Sequence, residues 1–299
     1  MLEAGVSRRR RSVAGRQRNL ADRLRAMRAS PLSAWSVPHP NGAAMSCLLA
    51  PLLLSPLFVC EASRLERRLW EASVRRFEAD EREYPEDAVL FYGSSSIRLW
   101  RTIETDMAPR PVIQRGYGGA RLSDAVGFVE RVVHPHQAGA IVVFLANDID
   151  GRYNQPTPKR VGELFGELLD RVRAAHPDTP LLWVEVTPTP ERFDLWPEVS
   201  QASELIRKQC EADPDAYFIP TAAAYLGDDG QPRAELFRAD GLHQNAEGYA
   251  IWKAIIAAAL DQIIGPADRD SGDSPLAGAD DAVADDRVTV VAPTASPQS

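Results

Sequence analysis

Ala88-Val89-Leu90-Phe91-Tyr92-Gly93-Ser94-Ser95-Ser96-Ile97 is a short apolar run that ends in a glycine and three serines. A run of this length, with no polar residue inside it, predicts a strand buried on both faces, as in a parallel sheet. Four further short runs rich in strand-forming residues read as buried parallel strands too: Pro111 to Gln114, Ala140 to Leu145, Leu181 to Val186 and Ala216 to Ile219. Between and around them lie amphipathic stretches with helical spacing at about 64–81, 122–133, 158–175, 199–211 and 245–260. Strands alternating with helices imply right-handed crossovers, with helices covering both faces of one sheet. The reading is α/β: a three-layer α/β/α sandwich on a five-stranded parallel sheet. There is no internal repeat.

The chain has 299 residues, of which 44% are hydrophobic and 25% charged, values of a globular protein. A net charge of -8 leaves no general footprint for nucleic acid. The charge is uneven, however. Residues 1–44 carry nine arginines against Glu3 and Asp22, and residues 265–299 carry seven aspartates against Arg269 and Arg287. Both ends read as solvated tails. The expected organisation is a basic N-terminus over 1–62, one catalytic-size domain over 63–264 and an acidic tail over 265–299. Residues 47–62 are strongly apolar but broken by Pro51 and Pro56, and too short for a stable membrane span of ~20 residues. They match the apolar region of a signal peptide better, with Cys60 and Ala62 as small residues flanking a cleavage site, although the basic region before them is long. Export to the periplasm or outside is favoured over a cytoplasmic protein with an unstructured start, and a start codon assigned too early would account for the length. Cys47, Cys60 and Cys210 are the three cysteines, so cleavage would leave one and no internal disulfide.

Ligands of open α/β sheets bind at the ends of strands, and four segments fall there. They are Gly93 to Ile97, Arg115-Gly116-Tyr117-Gly118-Gly119, Asn147-Asp148, and Asp240-Gly241-Leu242-His243. An acid three residues before a histidine can pair with the ring and leave Nε2 to take a proton. A serine hydroxyl needs such a base, because it is hardly ionised near neutral pH. Ser94, Ser95 and Ser96 compete for that role. Ile97 occupies the place where the five-residue elbow of α/β-hydrolases needs a second glycine, which excludes that motif. Gly118-Gly119 can bring a backbone amide close to an anion, or can be an ordinary strand-to-helix turn. Asn147 reads either as an amide donor or as a strand-end turn residue, with Asp148 capping the segment after it. Pro188-Thr189-Pro190 and Gly227-Asp228-Asp229-Gly230 mark loops of the kind that shape pockets. His39, His134, His136 and His176 read as solvated loop or tail residues. No cluster has metal-ligand spacing, no phosphate loop is present, and Gly116-Tyr117-Gly118-Gly119 lacks the spacing of a dinucleotide site, so neither cofactor nor metal is expected.

Taken in order, the four blocks resemble the SGNH hydrolases, the esterase and lipase superfamily also named for a Gly-Asp-Ser-Leu motif. The resemblance runs from about Phe77 to about Ala259. It is strongest to a bacterial subgroup that writes the first block as Gly-Ser-Ser-Ser-Ile-Arg-Leu-Trp, here Gly93 to Trp100, with Ser94 in place of the acid of the name motif. Phe237 to Tyr249 is similar to that subgroup too. The resemblance implies a flavodoxin-like strand order and a cofactor-independent serine esterase acting through an acyl-enzyme on a small-molecule ester. The family register puts the nucleophile two residues after the glycine, which selects Ser95. It makes His243 the base and then the acid, with Asp240 holding its tautomer, and it builds an oxyanion hole from the amides of Ser95 and Gly119 and the side chain of Asn147. Lysophospholipids, short-chain esters and acetylated sugars all fall within the superfamily. The chain departs from the pattern at Phe144-Leu145-Ala146, where the relatives have a glycine and a polar residue before Asn147-Asp148. Two alternatives arise: a non-catalytic binding protein with an altered oxyanion hole, or a carbohydrate O-acetyltransferase using the same serine. Oligomeric state is open.

Overall fold

The structure, a computed structural model, describes residues 70–267. The expectations for residues 1–62 and for most of 265–299 fall outside them, as does His39. Five parallel strands form one sheet in the order β2-β1-β3-β4-β5. They are β1 (Val89–Gly93), β2 (Val112–Gly116), β3 (Ala140–Phe144), β4 (Leu181–Val184) and β5 (Ala216–Ile219). This is the flavodoxin-like order, with the chain reversing direction across the sheet between β1 and β3. The helical segments are α1 (70–78), α2 (Ser95–Leu99), α3 (Ile103–Asp106), α4 (Leu122–Val132), α5 (Pro158–Arg173), α6 (Trp196–Ala212) and α7 (Ala246–Ile264).

Alternate residues of each strand feed two separate cores. Leu90, Tyr92, Ile141, Val143 and Trp183 pack on one face with Leu122, Val129, Phe165, Leu168 and Ile206. Phe91, Val142, Phe144 and Val184 pack on the other with Ile97, Trp100, Trp252 and Ile256. A strand buried on both faces must be apolar at every position, which is why β1 and β3 are buried throughout. The strand ends differ slightly from the pattern. β4 stops at Val184 because β5 offers its last ladder carbonyl, Ile219 O, to Glu185 N–H at 3.0 Å, and Val186 and Thr187 then turn away to line a cleft. The helix expected from residue 199 begins at Trp196, preceded by a 3-10 turn over Pro190–Leu195. That turn, α3 and the 3-10 turns Ala222–Tyr225 and Ala234–Leu236 are too short for a periodic pattern to announce. No helix among the described residues is long and apolar enough to cross a membrane.

Candidate active site

The serine block turns sharply out of β1 into α2. Ser94 N–H continues the ladder to Phe144 O at 3.0 Å, and Ser95 opens the helix. The turn is held from two sides. Gln114 Nε2 on β2 donates to Ile97 O (2.6 Å) and Trp100 O (3.1 Å), taking up carbonyls that a helix end leaves open. Tyr249 Oη on α7 donates to Ser96 O at 2.9 Å, and its ring stacks on Trp100 with centroids 5.5 Å apart. The helix has only five residues, so what it offers an anion is the local amides of its first turn rather than a summed dipole.

Asp240 to His243 form a tight loop closed by Arg238 N–H to His243 O (2.8 Å) and by the bridge Phe237↔Gln244. Within it the Asp240 carboxylate accepts from Leu242 N–H (3.0 Å), His243 N–H (2.9 Å) and the His243 ring at Nδ1 (2.7 Å). Burial works against the charge of Asp240, but these bonds outweigh it and hold its pKa down at about 2. An ionised Asp240 only accepts, which puts the ring proton on Nδ1 and leaves Nε2 as acceptor. Nε2 lies 2.9 Å from Ser95 Oγ. Two residues 148 positions apart therefore meet at hydrogen-bond distance.

Ser95, Asn147 and His243 line one cleft, along with Thr187, Pro188, Thr189, Arg192, Trp196 and Phe237. A mainly apolar pocket adjoins it and shares Ala146, Ile149, Val186 and Val199 as walls. The orientation of Asn147 is set by its partners. Arg192 Nη1 can only donate, and it does so to Asn147 Oδ1 at 3.2 Å, while Asn147 Nδ2 donates to Ala120 O at 2.9 Å. Nδ2 carries a second hydrogen that neither contact uses. Leu145, which stands where the family pattern has its glycine, points into the core and is 2% exposed. Its burial anchors the loop instead of the missing glycine.

Gly119 has φ +74, the left-handed conformation that favours glycine. Its N–H has no hydrogen-bond partner among the described residues, and the preceding carbonyl, Gly118 O, accepts from Trp70 Nε1 at 3.0 Å. Gly119 is not among the residues lining the cleft, and neither is the Gly227–Gly230 loop. Arg115, first of the glycine block, lies 1% exposed between the rings of Phe77 and Tyr84, 3.1 Å from Asp80.

Three sequence readings are corrected. Asp148 does not cap the segment after it: its carboxylate accepts from Leu122 N–H (3.1 and 2.9 Å), at the start of α4, upstream in the chain. His176 is buried, its ring edge-on to His134 at 6.0 Å, where the ends of α4 and α5 pack together. His136 is half-buried and its Nε2 accepts from Arg115 Nε at 3.2 Å, while burial and that guanidinium lower its pKa to about 4. Nothing in the sequence marks out Arg192, because one arginine in a turn carries no pattern. Among the described residues no group of three His, Cys, Asp or Glu side chains is arranged to hold a metal ion.

Residues 91–251 match the model of the GDSL-like Lipase/Acylhydrolase family. The chain belongs to that family, and it is a hydrolase acting on ester bonds. No curated protein matches the sequence. Among solved structures, a Streptococcus pneumonia protein named for platelet activating factor superposes with a TM-score of 0.55 at 16% identity, covering 69% of this chain and 99% of its own. A GDSL-like lipase from Bacteroides thetaiotaomicron gives 0.51 at 20% identity, covering 63% and 97%. A Bacteroides fragilis protein named as an acylhydrolase gives 0.52 at 19%, covering 63% and 94%. At these identities the likeness is one of fold.

Burial pushes the Asp148 pKa up to about 6, against the Leu122 N–H bonds that favour its charge. The folded state therefore binds this proton more tightly than the unfolded chain, where the carboxyl titrates near 3.8. Its stabilising share is full below about pH 4 and is lost as pH rises through about 6. Asp148→Asn keeps an acceptor for Leu122 but cannot ionise. Its stability relative to wild type should rise between pH 4 and 6 and level off at about 3 kcal/mol, on the scale of ~1.4 kcal/mol per pKa unit. Urea denaturation of both proteins across that range checks this; a constant difference would sink it.

Proposed function

We propose that the protein is a serine esterase in which Ser95 attacks the ester carbonyl and carries the acyl group. The observation supporting this reading is the unbroken relay from Asp240 through His243 to Ser95, with contacts of 2.7 and 2.9 Å. His243 Nε2 takes the Ser95 proton as the Oγ–C bond forms, then delivers it to the departing alkoxide. Asp240 stays ionised, keeps the ring in the required tautomer and stabilises the imidazolium. Water attacks the acyl-enzyme by the same steps in reverse order. The oxyanion meets the amide of Ser95 and the unused Nδ2 hydrogen of Asn147, with the unpaired N–H of Gly119, from just outside the cleft lining, as the third donor that the family resemblance implies. The adjoining apolar pocket supports an ester with an apolar acyl group, of the short-chain, lysophospholipid or acetyl-sugar type.

Turnover of 4-nitrophenyl acetate by purified protein, with stoichiometric labelling of Ser95 by a fluorophosphonate, is the direct test. Binding of an ester analogue without turnover would favour the non-catalytic alternative. Asn147→Ala should lower kcat by ~10²-fold to 10³-fold with little change in KM, as loss of an oxyanion donor does. If its amide serves only Ala120, the kinetics will stay as in wild type and thermal stability alone will fall.

A further inference from the structure

Arg192 brings a positive charge into the cleft that the proton relay does not use. It stands half-buried in the turn Pro190–Leu195. Nη1 donates to Ala146 O at 3.0 Å and to Asn147 Oδ1 at 3.2 Å. Nε and Nη2 have no hydrogen-bond partner among the described residues, and no carboxylate there pairs with the guanidinium. The acid whose field reaches it most, Asp150, already pairs with Arg121 (3.3 Å) and Arg152 (3.1 Å). A partly desolvated cation without a counter-charge is unfavourable, and burial works against its charge here. The open edge of a guanidinium presents a fork of N–H donors that matches a carboxylate or phosphate. Trp196, Val199 and Phe237 give the same cleft apolar walls, which limit screening of such a pair.

We propose that Arg192 is a specificity-determining residue and that the cleft takes an ester bearing an anionic group, a carboxylate or a phosphate, held by Nε and Nη2 of Arg192 while the ester carbonyl sits at Ser95. This rests on the esterase reading above.

The test compares each anionic ester with a neutral partner of similar shape. 4-Acetoxybenzoate against 4-acetoxybenzamide places the charge on the alcohol side; the 4-nitrophenyl half-ester of adipate against 4-nitrophenyl hexanoate places it on the acyl side. Wild type should prefer the anionic member in one arm by about tenfold or more in kcat/KM, the scale of a charge-assisted hydrogen bond. The arm that responds assigns the side. Arg192→Gln should bring that ratio close to one, and Arg192→Lys should retain part of it. A ratio cancels any general loss from disturbing Asn147. No anionic preference in either arm, or a ratio unchanged in Arg192→Gln, overturns the proposal. Absence of turnover on all four esters would count against the esterase reading alone. Calorimetric binding of 4-acetamidobenzoate against 4-acetamidobenzamide, and of adipate monoanilide against hexananilide, then decides the anion site, with equal affinities in both pairs overturning it.

Discussion

Ser95→Ala is expected to lower kcat for ester hydrolysis by ~10⁴-fold or more, the scale seen when a triad nucleophile is removed, while Ser94→Ala and Ser96→Ala keep most of the activity. The difference comes from position. Ser95 Oγ is the hydroxyl 2.9 Å from His243 Nε2, whereas Ser94 is 1% exposed. Ser96 contributes its carbonyl to Tyr249. Ser95→Ala removes no packing contact of the core, so its unfolding temperature should stay near that of wild type. Mass spectrometry after fluorophosphonate treatment gives an independent check, since the adduct should sit on Ser95. An adduct on either neighbour, or an active Ser95→Ala, would remove Ser95 from the mechanism. His243→Ala should behave like Ser95→Ala in kcat without loss of fold.

Gly93→Ala is expected to have the largest effect on stability of any single methyl addition in the chain's catalytic half. A Cβ at Gly93 would lie 2.1 Å from Phe144 O and 3.1 Å from Ile97 Cγ1. The first of these is backbone of the neighbouring strand, in register with Gly93, and it already accepts from Ser94 N–H. It cannot move aside as a flexible side chain would. Either β1 and β3 separate or the turn into α2 shifts, at about 3 kcal/mol or more for overpacking between fixed backbones. Activity should fall further than stability, because Ser95 rides on that turn. Gly127→Ala on α4 is the matched control. Nothing lies within 4 Å of a Cβ there, and alanine should stabilise the helix by roughly 0.5–1 kcal/mol. Denaturation midpoints for the two variants should move in opposite directions.

The sheet is legible in the sequence because a parallel strand is buried on both faces, so its residues are apolar without interruption and stand out from amphipathic helices. The strand and helix positions differ from the pattern mainly at ends, where hydrogen bonding rather than burial decides. Val186 looks like a strand residue, yet β5 has no ladder partner left for it. The blocks around Ser95 and His243 are legible as a resemblance; the distance between them is not, since the close approach of Ser95 to His243 depends on the strand order and on Tyr249 reaching Ser96. Asp240 and His243 are different: their pairing is local and set by spacing. The Asn147 loop is the least legible part. Whether Leu145 can replace a glycine depends on a core position ready to receive it, and the upstream bond from Asp148 to Leu122 spans 26 residues. The histidine readings fail for a related reason: proline-flanked loops look exposed in sequence, but two helix ends meet over His176.

The loop from Phe237 to Gln244 carries Asp240, His243 and the bonds that orient them, closed by its own bridge and leading directly into α7. Asp240 and His243 thus form a prefabricated cassette whose internal geometry does not rely on the sheet. What the rest of the fold must preserve is one docking distance, from His243 Nε2 to Ser95 Oγ, and the tie from Tyr249 to Ser96 O fastens the cassette's own helix to the turn that carries Ser95. Sequence drift elsewhere in the domain then has a single coordinate to respect, which leaves the walls of the cleft free to diversify around an unchanged Ser95–His243 contact.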